Sequence, residues 1–326
     1  LIGRSFPLEQ LSAAIVGLGR IGQLLDEGLD AATHCLTHSQ AFSSHPDFKL
    51  IAGVDPNADL RTKFSTRFSS KAFASLNDLP KETRLDVISV AGPTNQNFQI
   101  FKQAIELKPK LILMEKPLGS DVSQAHEILR ISKSAGVSVA VNFMRRAEPG
   151  VLEVQKLISS GQIGKIQKAT VTYSKGLLNN GSHFVDLMRF WLGASSHHQI
   201  LGSLNANFEG DPEPDFGIRF GNVPVYFLSG REEYYSLRDI QIFGSTAAIS
   251  YLRGGQKIEV TNVVESQLYR GYRFLSFDGR ELSTQINRVQ YFVADQISNY
   301  LRKGTALNFD GSSALLTICL LYTSDA

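Results

Sequence analysis

The segment Gly17-Leu-Gly19-Arg-Ile-Gly22 constrains the fold of this chain more than any other feature of its sequence. It follows the apolar run Ser12–Val16 and precedes a helical pattern over Arg20–Leu29. In such a unit the first glycine permits a tight turn, the second lets the backbone approach a pyrophosphate, and the third lets helix and strand pack closely. The start of the helix offers free amides to phosphates. A turn without a ligand is the alternative, but the strand–turn–helix context favours a dinucleotide site. The predicted contacts are Gly17, Gly19, Arg20, Ile21 and Gly22.

The first half of the chain alternates strand-like and helix-like segments. Further strand candidates are Phe48–Asp55, Asp86–Ala91, Lys110–Met114 and Val137–Asn142. Helical patterns cover Ala58–Phe68, Asn95–Leu107 and Ser120–Ala135. Strands that are apolar on both faces and separated by helices indicate a parallel sheet covered on both sides. Residues 1–145 are therefore predicted to form an α/β dinucleotide-binding domain.

The rhythm changes after residue 145. Helical patterns cover Val151–Ser160, Ser182–Leu192 and Ser283–Arg302. Strand-like runs are Ile166–Ser174, Ile200–Asn207, Phe216–Phe220, Val223–Leu228, Arg238–Phe243, Ala247–Leu252 and Lys257–Val264. Successive strands without crossover helices indicate a largely antiparallel sheet. We expect residues 146–326 to form an α+β domain, and the family resemblance described below implies that it serves substrate binding and oligomerisation. The last eight residues, Cys319–Ala326, are expected to be read-through from a sequencing adaptor; an ordinary helix end is the alternative.

Composition excludes several classes of partner. The chain of 326 residues has a formal net charge of only +2 and no basic run, which argues against nucleic acid. Apolar runs such as Leu111–Met114 are too short to cross a membrane, and no secretory signal is found, so a cytoplasmic protein is expected. Cys35 and Cys319 are far apart and lack metal-ligand spacing, so no metal site is predicted.

Asp55 closes the second strand candidate, where a carboxylate can accept hydrogen bonds from both ribose hydroxyls of a dinucleotide. A 2′-phosphate would meet this negative charge, which favours NAD over NADP. Asp55 lies farther from Gly22 than in the usual fingerprint, and an insertion over residues 31–46 explains the excess. Two alternatives stay open: Asp55 caps the next helix, or nearby Arg61 accommodates NADP.

Four further motifs lie at the ends or starts of predicted elements. They are Val90-Ala-Gly-Pro-Thr-Asn95, Glu115-Lys-Pro-Leu-Gly119, Asn142-Phe-Met-Arg-Arg146 and Gly181-Ser-His-Phe-Val-Asp186. Together with the glycine-rich turn, this set resembles the glucose–fructose oxidoreductase / inositol dehydrogenase / MocA (Gfo/Idh/MocA) family over nearly the whole chain. The resemblance implies an N-terminal Rossmann domain and a C-terminal open sheet that makes homo-oligomer contacts, in a dimer or tetramer. It also implies a sugar-like substrate. In addition to the turn and Asp55, further cofactor contacts are expected at Ala91, Gly92, Pro93, Asn95, Glu115 and Lys116.

The resemblance implies that Lys116 sits by the nicotinamide and that His183 reaches the reacting hydroxyl. The chemistry supports both roles, because alcohol oxidation needs a group that takes the hydroxyl proton and a donor that stabilises the oxyanion. Asp186 is within helical reach of His183 and orients its ring, or else serves only the helix dipole. Arg146 lines the substrate cleft, or else forms a salt bridge. Many family members have Asp four residues before the histidine; Asn179 stands there in this chain, and we expect it to bind substrate.

The predicted function is hydride transfer between a nicotinamide cofactor and a carbinol or keto carbon of a sugar, polyol or sugar nucleotide. One alternative is a glycosidase that uses bound NAD for transient oxidation and elimination, without net redox change. The other is a dinucleotide-binding regulator without catalysis. Retention of Lys116 and His183 argues against the regulator, whereas the Asn179 substitution keeps this alternative open.

Overall fold

The computed structural model describes residues 9–208 and 210–322. The chain divides into two compact units. The first contains the described part of Leu1–Met144 together with Asn287–Leu315, and the second contains Arg145–Ile286 and the described part of Leu316–Ala326. Residues 287–315, which the sequence analysis placed in the second domain, thus belong to the first unit.

The first unit is built on a six-stranded parallel sheet in the order β3-β2-β1-β4-β5-β6. Its strands are β1 (Leu11–Val16), β2 (Phe48–Val54), β3 (Lys71–Phe73), β4 (Val87–Val90), β5 (Leu111–Met114) and β6 (Ser138–Val141). β4 and β5 are buried at every position, as expected for central strands covered on both faces. The short edge strand β3 was not predicted. This sheet confirms the predicted Rossmann architecture.

Eight α-helices are found in the described part of the chain. They are α1 (His38–Ser44), α2 (Ala58–Phe68), α3 (Thr94–Glu106), α4 (Val122–Ala135), α5 (Pro149–Ser159), α6 (Ser182–Leu192), α7 (Val289–Lys303) and α8 (Gly311–Tyr322). Their ends follow local chemistry. The Asn57 side chain accepts hydrogen bonds from the first amides of α2, and Asp121 caps α4 in the same way. Gly136 ends α4 in the left-handed conformation.

The predicted helix Arg20–Leu29 is wrong in extent, because only a π-helical turn over Arg20–Leu24 forms. The buried carboxylate of Asp26 accepts hydrogen bonds from the amides of Leu36 and Thr37, at 2.8 and 2.9 Å. These bonds draw the chain away from a helical path and lead into α1. The segment that the sequence analysis treated as an insertion therefore contains an ordered helix.

The second unit contains a nine-stranded, mostly antiparallel sheet, which confirms the predicted α+β class. The strand order is β14-β13-β12-β11-β7-β10-β9-β8, with β15 paired to β13 and with β7 and β10 parallel. The strands are β7 (Lys168–Tyr173), β8 (Ser195–Phe208), β9 (Asp211–Phe220), β10 (Val223–Ser229), β11 (Arg238–Phe243), β12 (Ala247–Leu252), β13 (Lys257–Glu265), β14 (Arg273–Leu275) and β15 (Arg280–Leu282).

One face of this sheet packs against α5 and α6. Val225 and Phe227 of β10 lie in the common core, whereas Tyr226 and Leu228 of the same strand point to the opposite face and are about two-fifths exposed. A π-helical turn over Leu177–Gly181 leads directly into α6.

The C-terminal end was the subject of a separate prediction. Cys319–Tyr322 complete α8, and Thr323–Ala326 lie outside the described residues, so the read-through origin of this tail stays a prediction. No helix over residues 9–208 and 210–322 combines the length and hydrophobicity needed to cross a bilayer.

Candidate active site

The glycine-rich turn after β1 has the shape that a pyrophosphate requires. Gly17 has φ +95°, and a Cβ there would lie 2.7 Å from the backbone of Ala91. A Cβ on Gly22 would collide with the carbonyl oxygen of Gly17. At Gly19, by contrast, a Cβ would meet nothing within 4 Å. Gly17 and Gly22 therefore allow the turn to pack, whereas Gly19 presents bare backbone to open space, which fits a dinucleotide. Arg20 is exposed beside this space.

Asp55 follows β2 and supports the turn. Its Oδ2 accepts a hydrogen bond of 2.8 Å from the amide of Leu18, and its Oδ1 accepts one of 2.9 Å from the amide of Asn57. The residue is 8% exposed. Arg61 Nη1 donates to the carbonyl oxygens of Asp55 and Pro56. Asp55 thus has a structural function at the turn in addition to the capping role that the sequence analysis left open, and each carboxylate oxygen has one further lone pair.

The ends of β4 and β5 bring the next predicted cofactor contacts to the same edge of the sheet. The amide of Ala91 donates to the carbonyl oxygen of Val16, at 2.7 Å, which holds the end of β4 beside the glycine turn. Pro93 is the N-terminal flanking residue of α3, and Asn95 is exposed in its first turn. The carboxyl edge of a parallel sheet is where open α/β folds bind ligands.

Glu115 and Lys116 follow β5 at this edge. The amide of Glu115 donates to the carbonyl oxygen of Val90, at 3.0 Å. The side-chain oxygen Oε1 of Glu115 accepts a hydrogen bond of 2.6 Å from Asn142 Nδ2 and lies 2.8 Å from Nε2 of His38. His38 was missed by the sequence analysis, which placed it in an insertion. Thr37 before it is a helix-capping residue, and this signal could have revealed α1.

His183, the predicted proton shuttle, is the second residue of α6 and is half-buried in the second unit. Asn179 lies in the π-helical turn before it and is exposed; its Nδ2 donates to the carbonyl oxygen of Lys175, at 3.1 Å. Asp211 holds this turn, because its two carboxylate oxygens accept from the amides of Leu178 and Asn179. The sequence analysis missed Asp211, which lies at the start of a strand with no motif of its own.

Arg146 and Asp186, which the sequence analysis assigned to the substrate site, lie next to each other in the structure. Both are buried, at 4% and 1% exposed, and they form a bidentate ion pair. Thr317 Oγ1 donates a third hydrogen bond to Asp186, at 2.9 Å. Burial raises the pKa of the Asp186 carboxyl, and the charge of Arg146 opposes this rise. The two opposite charges of this buried pair compensate each other, which gives the pair a structural role, and its assignment to substrate binding stays a prediction.

Residues 11–143 match the family model described as an oxidoreductase family with an NAD-binding Rossmann fold. The match spans the glycine turn and the ends of β4 and β5, and it reaches Asn142. Over these residues the chain resembles the Gfo/Idh/MocA oxidoreductase family. The predicted family, the Rossmann domain and its nicotinamide dinucleotide are thereby confirmed.

Curated relatives are similar over part of the chain. An uncharacterized oxidoreductase, YrbE, from Bacillus subtilis is 29% identical over 48% of this chain and 42% of the relative. An inositol 2-dehydrogenase from Rhizobium meliloti is 22% identical over 55% of this chain and 54% of the relative. The galactose/lactose metabolism regulatory protein of Kluyveromyces lactis is 25% identical over 67% of this chain and 50% of the relative. The chain thus spans about half the length of these relatives.

Solved structures share the fold over almost the entire chain. A putative NADPH-dependent oxidoreductase from Desulfitobacterium hafniense superposes with a TM-score of 0.79 at 15% identity, covering 96% of this chain and 94% of that one. The UDP-N-acetylglucosamine 3-dehydrogenase GnnA from Acidithiobacillus ferrooxidans gives a TM-score of 0.74 at 15% identity, covering 96% of both chains. These likenesses concern the fold alone, and they include the second unit.

Proposed function

We propose that the protein is an NAD(P)-dependent dehydrogenase or reductase that acts on a CH–OH or keto carbon of a sugar, polyol or sugar nucleotide. The observation that carries the proposal is the placement of Lys116 at the carboxyl edge of the sheet that bears the glycine turn. This edge offers one surface for a dinucleotide and an ammonium group for a reacting oxygen. The names of the relatives, an inositol 2-dehydrogenase and a UDP-N-acetylglucosamine 3-dehydrogenase, support the substrate class.

The bound cofactor supplies the hydride acceptor or donor. In oxidation, the Lys116 ammonium would stabilise the alkoxide that develops as the hydroxyl loses its proton, and His183 would take that proton. In reduction, the same groups would polarise the carbonyl and return the proton. His183 suits this role because imidazole ordinarily titrates near neutral pH.

Asn179 is proposed as a substrate contact in the second unit. It is exposed in the turn that precedes His183 by four residues, and its backbone is held in place by Asp211. An amide can donate to one hydroxyl and accept from another, which suits a polyol. An amide cannot take a proton, so the acid–base work would fall to His183 and Lys116.

We propose NAD rather than NADP as the preferred cofactor. The carboxylate of Asp55 lies directly beneath the turn and would repel a 2′-phosphate. Arg61 is the opposing influence, since its guanidinium is held at the same strand end by two backbone carbonyls.

We also retain the expectation of a cytoplasmic protein as a prediction.

A homo-oligomer that contacts through the open face of the second sheet is proposed as the assembled form. Tyr226 and Leu228 expose apolar surface on this face, opposite the core. A dimer or tetramer interface that buries them fits the amphipathic pattern of β10. Light scattering of the wild type and of Tyr226→Arg checks this, because the charged residue should shift the population to monomers.

A non-catalytic regulator is the second candidate, and the similarity to the Kluyveromyces lactis regulatory protein favours it. One screen separates the candidates: NADH or NADPH is followed at 340 nm during incubation with polyols, sugars and sugar nucleotides, in both directions. Stoichiometric redox change supports the dehydrogenase. Product release without net NADH indicates the NAD-dependent glycosidase. Tight NAD binding without turnover of any compound favours the regulator.

A further inference from the structure

A fully buried histidine lies behind the Glu115–Lys116 pair. His38 is the first residue of α1, and its side chain is 0% exposed. Its Nδ1 lies 2.7 Å from the hydroxyl of Ser89, and its Nε2 lies 2.8 Å from Oε1 of Glu115. A polar side chain at such a depth is costly unless its groups are hydrogen-bonded, and both ring nitrogens here have partners.

The direction of these hydrogen bonds follows from the neighbours. Glu115 Oε1 also accepts from Asn142 Nδ2, at 2.6 Å, so the oxygen receives two donors. Because a carboxylate only accepts, the proton belongs on Nε2 of His38. The Ser89 hydroxyl can donate to Nδ1 when the ring is neutral. Asn142 Nδ2 and His38 Nε2, which lie 3.3 Å apart, are then two donors that both bond to Glu115 Oε1.

The network lies across the ligand-binding edge of the first sheet. Ser89 belongs to β4, Glu115 follows β5, and Asn142 follows β6, three neighbouring strands. His38 joins them from α1, a helix that enters from a distant part of the sequence. Oε1 of Glu115 receives both donors, and the Glu115 side chain keeps 16% of its surface exposed. Oε2 is therefore the oxygen that can face a ligand.

We propose that His38 is a positioning residue of the dinucleotide site. Its Nε2–H holds the Glu115 carboxylate in one orientation, with Oε2 directed to a hydroxyl or amide donor at the nicotinamide end of the cofactor. The hydrogen bond also holds the backbone that carries Lys116. The inference rests on the proposed role of Glu115 in cofactor binding. A ligand contact that is held in place before binding costs less entropy when the ligand arrives.

The test compares two polar replacements of similar size. The amide nitrogen of Gln in His38→Gln can reach the position of Nε2 and donate to Glu115, whereas the shorter Asn in His38→Asn can satisfy only the Ser89 side. Calorimetric titration with NAD should give near wild-type affinity for H38Q and roughly tenfold weaker binding for H38N, the loss expected for one hydrogen bond to a charged group. Equal affinities in the two variants would overturn the inference.

His45 provides the matched control. It is a second buried histidine that directly follows α1, and it contacts Asp295 rather than Glu115. His45→Asn should lower thermal stability about as much as His38→Asn but leave NAD affinity unchanged. If both histidine variants weaken NAD equally, the effect is a general loss of α1 packing and the inference fails.

A double-mutant cycle isolates the path through Glu115. In a Glu115→Ala background, His38→Asn should cause no further loss of NAD affinity, because the group that it positions is gone. An additional tenfold loss in that background would show that His38 acts elsewhere. These results differ from failure of the proposed function: in that case the wild type itself would bind NAD without turning over any substrate, or would not bind it.

Discussion

The guanidinium of Arg146 holds the carboxylate of Asp186 through two hydrogen bonds of 2.6 Å, from Nε to Oδ2 and from Nη2 to Oδ1. Both residues come from motifs that suggested substrate contacts, yet the pair lies inside the second unit. Each charge is compensated by the other, so removal of either partner would leave an unpaired charge in a place from which water is excluded.

We therefore expect Arg146→Met to lower the free energy of unfolding by about 3–5 kcal/mol. The double variant Arg146→Met/Asp186→Leu should be more stable than either single variant, because it removes both charges at once. Urea denaturation of the four proteins measures the cycle. A single variant with wild-type stability would show that the ion pair is not a structural element.

Gly19 and Gly22 of the turn should respond differently to substitution. Gly19→Ala should fold normally, since its Cβ would enter open space, but should weaken NAD binding by occupying the approach of the pyrophosphate. Gly22→Ala should lower the melting temperature, because its Cβ would collide with Gly17. Gly202→Ala, whose Cβ also meets nothing, is the control. Unchanged NAD affinity in Gly19→Ala would place the dinucleotide elsewhere.

Lys116→Met should preserve the fold and NAD binding and reduce turnover by roughly 10²–10⁴-fold, the range typical of a positioned acid–base or electrostatic group. The side chain of Met has a similar length and no charge. Activity with the best compound of the substrate screen, together with NAD titration, gives the measurement. Near-normal turnover in the folded variant would remove Lys116 from the mechanism.

Asn179 and His183 should affect different kinetic constants. Asn179→Ala removes a substrate contact and should mainly raise KM, whereas His183→Ala removes the proton shuttle and should mainly lower kcat. Asn179→Asp asks whether a carboxylate is compatible with Asp211 nearby. If Asn179→Ala changes no constant, Asn179 is only a turn residue. If His183→Ala is silent as well, the regulator becomes the better hypothesis.

NAD(H) should bind more tightly than NADP(H), and calorimetric titration with both decides this. The carboxylate of Asp55 beneath the turn opposes a 2′-phosphate, and Arg61 partly offsets that effect. Arg61→Ala should therefore widen the preference for NAD(H). Tighter binding of NADPH to the wild type is the outcome that contradicts the proposal.

Local sequence patterns were sufficient for much of the fold. The period of the apolar residues predicted β11, β12 and α6 with the bounds that the structure has, because each is a regular element with one buried face. The glycine spacing predicted the turn after β1, since a Cβ at Gly17 or Gly22 is excluded by backbone that lies close in the fold.

The tertiary structure decided the remaining features, which depend on partners distant in sequence. After the π-helical turn, Asp26 accepts hydrogen bonds from amides ten and eleven positions later, and the period of apolar residues does not reveal such bonds. His38 reaches Glu115 across 77 positions, so its surroundings cannot be inferred from its neighbours in the chain. In the sequence, Arg146 suited either a substrate cleft or a salt bridge, and Asp186 suited either the substrate site or the helix dipole. Burial distinguishes these two outcomes, and burial is a property of the packed fold.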